Sequence, residues 1–303
     1  MDNLTHTLVG LMLARTGLEK TTVRGAGMMM LAANAPDIDG VTWFMGTLPY
    51  LEYHRSYTHS FAFMPVVALL PMLLARVKFS WQSYGAALIG VLSHLLVDWL
   101  NPYGTRLLLP FSQQRFRLDL ENLIDPFVWT AFLIAALLPL AMGAYKQTAR
   151  RGLGWAAVIG MIAYQGGRAT LHHQAIEMMR ANTFSGAEKT VAAMPLGYDP
   201  RVWRGIAESR GQVTIAALNI SQKFDPDNAR TYADSADNPA IDAVRNSYQF
   251  QVFERFSQLP FWRVIPRDGG QEVSLIDLRF GTPDRPGFAA VSAFVKNGRI
   301  GIQ

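Results

Sequence analysis

The sequence predicts a mainly α-helical, polytopic membrane bundle followed by a mixed α+β, β-rich soluble domain. Three observations predict it. The long apolar runs fall almost entirely within the first 165 of the 303 residues, although the whole chain is 50% hydrophobic and only 17% charged. One of them, Phe127 to Tyr145, is about 19 largely apolar residues without a charge, near the length a hydrocarbon core requires. From about Pro195 the texture changes to short β-rich segments with apolar alternation, the pattern of strands with one covered face. The expected division is a membrane-embedded helical domain over 1–180 and a β-rich extramembrane domain over 190–303.

Composition narrows the function classes. The absence of cysteine excludes thiolate zinc sites and disulfides. The net charge of +5 is modest and no Lys/Arg cluster interleaves with aromatic residues, so no nucleic-acid partner is expected. The first residues, Met1-Asp2-Asn3-Leu4-Thr5-His6, lack a positive n-region and a small-residue cleavage site. They do not read as a cleavable signal peptide, and the apolar helices are expected to carry membrane targeting.

In chain order, Leu4 to Ala14 reads as a short apolar helix with His6 near its start and Arg15 at its end. Thr21 or Thr22 caps a second, Val23 to Ala33, which Pro36 stops. Each is about half a bilayer long. Residues 40–57 read as an aromatic-rich loop with a Gly46-Thr47-Leu48-Pro49 turn signal. Thr58 is expected to cap a helix from His59 to Val77, and Tyr84 to Leu100 to run back against it until Asn101-Pro102-Tyr103-Gly104 breaks it. A mixed-charge loop over 105–126 precedes the Phe127–Tyr145 span, and a last helix starts near Leu153 and turns polar through Arg168, His172 and Glu177. Gln212 to Ser221, Tyr248 to Phe256, Glu272 to Phe280 and Phe288 to Val295 read as strands. Lys296-Asn297-Gly298-Arg299 reads as a hairpin turn, and Asp225 to Pro239 as loop or short helix.

Three polar clusters sit at the ends of apolar runs: Asn34-Ala35-Pro36-Asp37-Ile38-Asp39, His54-Arg55-Ser56-Tyr57-Thr58-His59-Ser60 and Ser93-His94-Leu95-Leu96-Val97-Asp98. Ionisable groups there are costly, which makes a functional site the default reading. His94 and Asp98 are four apart on one helix face and can reach one ion. Their neighbours are Leu, Val and Trp, so a cation is the natural counter-charge for a buried carboxylate. Asp37 and Asp39 after a proline are either a helix stop with an Asx turn or ligands for a hard or borderline metal. His54 and His59 cannot share one face of an ideal helix, so one belongs to the loop or they serve different metals or shells. His59 is the better ligand, and His54 with Arg55 can bind a phosphate-like anion instead. A lone histidine such as His6 is more often simply buried and hydrogen-bonded. His172-His173 with Glu177 reads as an exposed helix face. No His-Glu-x-x-His, P-loop or Gly-x-Ser-x-Gly pattern occurs.

If each apolar run crosses or half-crosses in turn, His6, Asp37, Asp39, His59, His94 and Asp98 gather at one end. Arg15, Lys20, Arg24, Arg76, Lys78, Lys146, Arg150 and Arg151 gather at the other. The positive-inside rule then puts the site and the C-terminal domain on the extracytoplasmic side. Arg55, Arg106, Arg115 and Arg117, on the site side, run against that assignment.

Asp2-x-x-Thr5-His6, Pro36-Asp37-Ile38-Asp39, His54-Arg55-x-x-Thr58-His59-Ser60 and Ser93-His94-x-x-x-Asp98-x-x-Asn101-x-x-Gly104 together resemble the YdjM-like inner-membrane metal-dependent hydrolases, over roughly residues 1–145. The resemblance implies an integral protein of a bacterial-type inner (cytoplasmic) membrane, with metal held at these His and Asp positions. Gly40 departs from it, where many members carry a histidine, which leaves the metal count open. Phe256-Ser257-x-x-Pro260-Phe261 and Asp277-Leu278-Arg279-Phe280-Gly281 look like the extra domain of longer members. The His-x-x-x-Asp pair is loosely similar to zinc-dependent phospholipases C, an analogy that favours phosphoesters.

The expected function is therefore membrane-bound, metal-dependent hydrolysis, with a metal-activated water attacking a phosphoester or lipid-linked substrate near the bilayer surface. One or two divalent ions, zinc for preference with manganese the alternative, are held by Asp37, His59, His94 and Asp98, with Asp39 or His6 completing or bridging. Asp39 is the expected general base, Arg55 the group that steadies an anionic transition state, and His54 its companion in anion binding. Membrane lipids are the expected partners. The rival from another class is a non-catalytic membrane metal transporter or sensor.

Overall fold

The computed structural model describes residues 1–141, 147–182, 188–209, 211–296 and 299–302. Its helices are α1 (Asn3–Arg15), α2 (Gly25–Ala32), α3 (Thr47–Tyr53), α4 (Met64–Val67), α5 (Leu69–Leu74), α6 (Trp81–Trp99), α7 (Pro126–Ala141) and α8 (Gln147–Ala181). Two compact units are formed, Met1–Val41 with Tyr53–Thr170, and Thr42–Glu52 with Leu171–Gln303.

The first unit is helical, and capping residues fix where its helices start. The Asp2 carboxylate accepts from the backbone N–H groups of Leu4 and Thr5 and so starts α1. Ser80 and Ser83 form a reciprocal capping box at the head of α6. Asp125 accepts from the N–H groups of Phe127 and Val128 and starts α7. The apolar faces of α2 and α6 meet through Met28, Met29, Ala32, Ala86, Ala87 and Val91, while α1 and α7 meet through Leu8, Met12, Val128 and Phe132. Two glycines set the closeness of α1, α2 and α6. A Cβ on Gly90 would lie 2.6 Å from the Ala32 Cβ, and one on Gly10 would lie 2.7 Å from the Met29 carbonyl oxygen. Only glycine allows that approach.

The polytopic bundle expected from the apolar runs is overturned. Among the described residues, no single helix is long and apolar enough to cross a membrane. Half of the chain is helix but a fifth is strand, in two antiparallel sheets, so the architecture is mixed rather than mainly α. The expected His59–Val77 helix is broken into a 3-10 turn (Tyr57–His59), α4 and α5, because Pro65 and Pro71 cannot continue a ladder. Thr47–His59 and Met64–Leu74 together are long and apolar enough for a span but are bent by 87°. Within the described residues α7 covers Pro126–Ala141 with Pro139 inside it, and the remainder of the Phe127–Tyr145 run, with Lys146 beyond it, lies outside them. The apolar run of α8 leads into Gln165, Arg168 and His172. The alternating crossings invoked for sidedness fall with the bundle. Residues 40–57 are not a loop either, since a 3-10 stretch (Ala35–Met45) and α3 occupy them.

The second unit carries two four-stranded antiparallel sheets in sequential order. The first is β1 (Glu188–Pro195), β2 (Val202–Ser209), β3 (Gln212–Asn219) and β4 (Ala229–Ala233). Helices α9 (Ala240–Arg245) and α10 (Tyr248–Phe256) lead to the second, β5 (Pro260–Arg267), β6 (Gly270–Asp277), β7 (Ala290–Lys296) and β8 (Arg299–Ile302). Ile206, Val213, Ile215, Phe261, Ile276 and Leu278 share one buried cluster that joins the sheets. Tyr248–Phe256, expected as a strand, is helical because Phe250, Phe253 and Phe256 recur every three residues and bury one face. Asn297 and Gly298 of the expected hairpin turn lie outside the described residues.

Candidate metal centre

Three elements bring the polar clusters together. The 3-10 stretch after α2 delivers Asp37 and Asp39, the turn before α4 delivers His54 and His59, and the last turns of α6 deliver His94 and Asp98. His59, His94 and Asp98 have no solvent exposure, whereas the Asp37 side chain is 14% exposed. His59 Nε2 lies 3.1 Å from His94 Nε2, 3.4 Å from Asp37 Oδ1 and 3.5 Å from Asp98 Oδ2. His94 Nε2 is 3.5 Å from Asp37 Oδ1 and 3.4 Å from Asp98 Oδ2. Four ligands around a tetrahedral zinc ion, at bond lengths of about 2.0–2.1 Å, stand about 3.3–3.4 Å apart. These five separations match the edges of such a tetrahedron, and the four residues form a candidate metal-binding cluster.

Outer contacts aim these ligands. His94 Nδ1 donates to the Ala33 carbonyl at 2.7 Å, which turns Nε2 inward. That contact exists because Gly90, one helical turn earlier, seats α6 on α2. His59 Nδ1 lies 3.1 Å from Asp39 Oδ2, a carboxylate–histidine pair of the kind that orients metal-binding imidazoles. Asp98 is divided between two tasks. Its Oδ1 takes Arg55 Nη2 at 2.9 Å and the Met1 α-amine, and its Oδ2, fully buried, has no hydrogen-bond partner among the described residues and faces the two imidazoles.

Charge follows geometry. Burial alone would push the His59 imidazole down, but the Asp37, Asp39 and Asp98 carboxylates beside it raise it to about 10. Burial would likewise raise Asp37 and Asp39, yet the surrounding imidazoles hold both well below the usual carboxylate range. Burial pushes His54 down, against the pull of Asp39. The cluster is thus held together by an imidazolium among three carboxylates, the charge pattern that a divalent cation would replace.

The remaining expected site residues surround this set. Asp39 Oδ1 pairs with His54 Nδ1 at 2.7 Å, and its Oδ2 accepts from the Thr58 hydroxyl at 2.7 Å and the Arg55 N–H at 3.1 Å. Arg55 occupies a left-handed conformation at φ 57° and is 3% exposed. Its Nη1 donates to Asn101 Oδ1 at 2.8 Å, and its guanidinium lies over the Tyr103 ring at 4.8 Å. His6 stacks on His94 with ring centroids 3.8 Å apart, and its Nε2 lies 3.2 Å from Asp98 Oδ1 without hydrogen-bond alignment. Asp2 and Thr5 bond each other and receive the Trp129 indole N–H, which makes them a helix cap. His172 meets the Ala193 carbonyl in the second unit and joins no ligand group among the described residues. Asn101, which belongs to the quoted family motif as well as to the helix break, and Tyr103 both hold Arg55, the first through Oδ1 and the second through its ring. The signal for them was the polar Asn101, three residues beyond Asp98 and two beyond the end of α6.

Comparison with known proteins agrees with the motifs. The chain is 28% identical over 159 residues to the uncharacterized protein YfhP of Bacillus subtilis, covering 48% of each. It is 33% identical over 122 residues to the inner membrane protein YdjM of Escherichia coli, covering 35% of this chain and 61% of that protein, and to YdjM of Shigella flexneri to the same extent. The chain thus spans about half of the length of the curated relatives it matches. No solved structure matches it. A family model described as YdjM inner membrane protein matches residues 1–175, more than half of the chain and all six ligand candidates. The chain belongs to the YdjM family of inner membrane proteins.

Proposed function

We propose that the chain is a membrane-bound, metal-dependent hydrolase acting on a phosphoester, either a lipid or a lipid-linked compound, at the membrane surface. The observation that carries this reading is the set Asp37 Oδ1, His59 Nε2, His94 Nε2 and Asp98 Oδ2, whose measured separations run from 3.1 to 3.5 Å. Zinc suits two imidazoles and two carboxylates at that spacing, and manganese is the alternative. A divalent ion bound among these His and Asp residues would supply Lewis acidity and bring the pKa of a nearby water toward neutrality. The chain's own residues prepare the site for it. Ala33 fixes the tautomer of His94, Asp39 orients His59, and Arg55 holds the outer oxygen of Asp98. Both oxygens of Asp39 are engaged, so in this reading it positions rather than accepts a proton. Arg55, with Arg106 donating to Ser56 at 3.2 Å, keeps positive charge beside the site and favours an anionic substrate.

A second reading is favoured by one observation. Four protein ligands leave no vacant position, which suits a metal sensor or transporter as readily as an enzyme. The test is phosphate release from a phospholipid in vesicles and from a soluble phosphate monoester, by protein stripped with chelator and reloaded with zinc. Zinc-dependent turnover, faster on vesicles and lost in Asp98→Ala, is expected. Equal efficiency with and without vesicles would remove the lipid substrate, and zinc binding without turnover would favour the sensor.

A further inference from the structure

The tetrahedral set is closed, but one of its ligands belongs to a second group. Asp37, Asp39 and His54 also place one donor atom each within 4.8 Å of one another. This group differs from the first in three physical respects. It offers three protein ligands rather than four. Its side chains reach solvent, 14% exposed at Asp37 and 10% at Asp39 and His54, while His59, His94 and Asp98 are sealed. Its donors are also already apportioned. Asp39 Oδ2 is taken by Thr58, the Arg55 N–H and His59, which turns Oδ1 toward His54 Nδ1 at 2.7 Å. The His54 ring is held edge-on against both His59 and Tyr103, with centroids 5.7 Å apart in each case. Closed four-ligand sites are structural, whereas catalytic sites keep three protein ligands and an open position.

We propose that the chain binds two divalent ions that share Asp37. One is enclosed by His59, His94 and Asp98, and the other is held by Asp39 and His54, with an open position facing solvent where an anionic phosphoester oxygen binds. This inference rests on the metal-dependent hydrolase reading and assigns its parts. The enclosed ion fixes the fold of the three polar segments, and the outer ion receives the substrate. It also accounts for two residues with no place in the tetrahedron, His54 and Asp39.

The experiment uses the full chain in detergent, stripped with chelator, reloaded with Zn2+ alone, desalted and assayed for metal per chain. Wild type is expected to hold about two equivalents, and His54→Ala and His54→Gln about one each. Asp37→Ala is expected to fall below the His54 variants. Wild type and His54→Ala both at one equivalent would overturn the shared site and leave a single-metal hydrolase standing. Two equivalents in wild type and still two in both His54 variants would overturn the assignment to His54. An empty wild type would overturn this inference and the metal-dependent reading together. Exchange coupling between two Mn2+ ions in the wild-type electron paramagnetic resonance spectrum, absent in His54→Gln, is the second expected signature, and a wild type showing only isolated Mn2+ would contradict it.

Discussion

Two buried ionic clusters in this chain solve the same problem in opposite ways. In the second unit Asp277 and Arg279 are both fully enclosed and satisfy each other. Arg279 Nε donates to both Asp277 oxygens at 3.0 and 2.9 Å, Nη2 donates to the Phe256 carbonyl at 3.0 Å, and the guanidinium lies over Phe256 and Phe280. In the first unit Asp98 Oδ2 is equally buried but has no hydrogen-bond partner among the described residues, and two imidazole Nε2 atoms lie 3.5 and 3.4 Å from it. One charge pair is complete. In the other cluster, donor atoms from three segments converge at metal-ligand spacing. Burial of ionic groups therefore does not mark a site by itself, whereas convergence of donor atoms at metal-ligand spacing does.

The comparison can be broken at either cluster. Asp277→Ala leaves Arg279 buried without its counter-charge and is expected to cost about 3–5 kcal/mol in unfolding free energy, with zinc bound per folded chain unchanged. Denaturant titration with and without zinc checks this, and a lost zinc response would show that the clusters are not independent. Gly90→Leu attacks the first cluster through packing, because its side chain must displace Ala32 and part α6 from α2. A loss of about 1–3 kcal/mol is expected, together with weaker zinc binding as His94 leaves the Ala33 carbonyl. Unchanged zinc affinity by calorimetry would separate helix closeness from ligand placement.

Smaller effects sharpen the contrast. Asp39→Asn removes the carboxylate that orients His59 and is expected to weaken zinc binding about 10–100-fold without unfolding the chain. An affinity equal to wild type would make Asp39 a bystander to the enclosed ion. Glu121 supplies the mildest test. Its burial, with Asp125 hydrogen-bonded beside it, raises the carboxyl to about 9, so it is protonated at neutral pH although Arg168 Nε lies 3.7 Å away. The guanidinium is satisfied instead by the Leu120 carbonyl at 2.8 Å. The sign follows directly. The folded state holds this proton more tightly than the unfolded chain, so the contribution is complete below about 4.5 and is lost as pH rises toward about 9. Glu121→Gln should therefore unfold no more easily than wild type at pH 8, and less of its stability should be lost between pH 5 and 9. A steeper loss would mean that Glu121 is ionised in the fold.

The site was more legible than the architecture around it. His94 and Asp98 could be placed together because a helix fixes i and i+4, and Asp37 and His59 because each sits in a short polar motif at the end of an apolar run. What sequence did not reveal was that one carboxylate, Asp39, would hold His54 and His59 at once, since that depends on a turn rather than a period. The long helix from His59 was misread because hydropathy outweighed Pro65 and Pro71, and the expected membrane bundle failed with it. Tyr248–Phe256 misled through an alternation at Tyr248, Phe250 and Val252 that coexists with a helical spacing of phenylalanines. β2 and β5 escaped because Arg204 and Arg263 interrupt their apolar pattern.

The most direct test of the central claim is zinc content of the purified full chain, wild type beside His94→Ala and Asp98→Ala, after stripping and reloading. The account predicts bound zinc in wild type and loss of the enclosed ion in both variants, each still folded by circular dichroism. Zinc content that is the same in all three proteins would place any bound metal elsewhere and contradict the account.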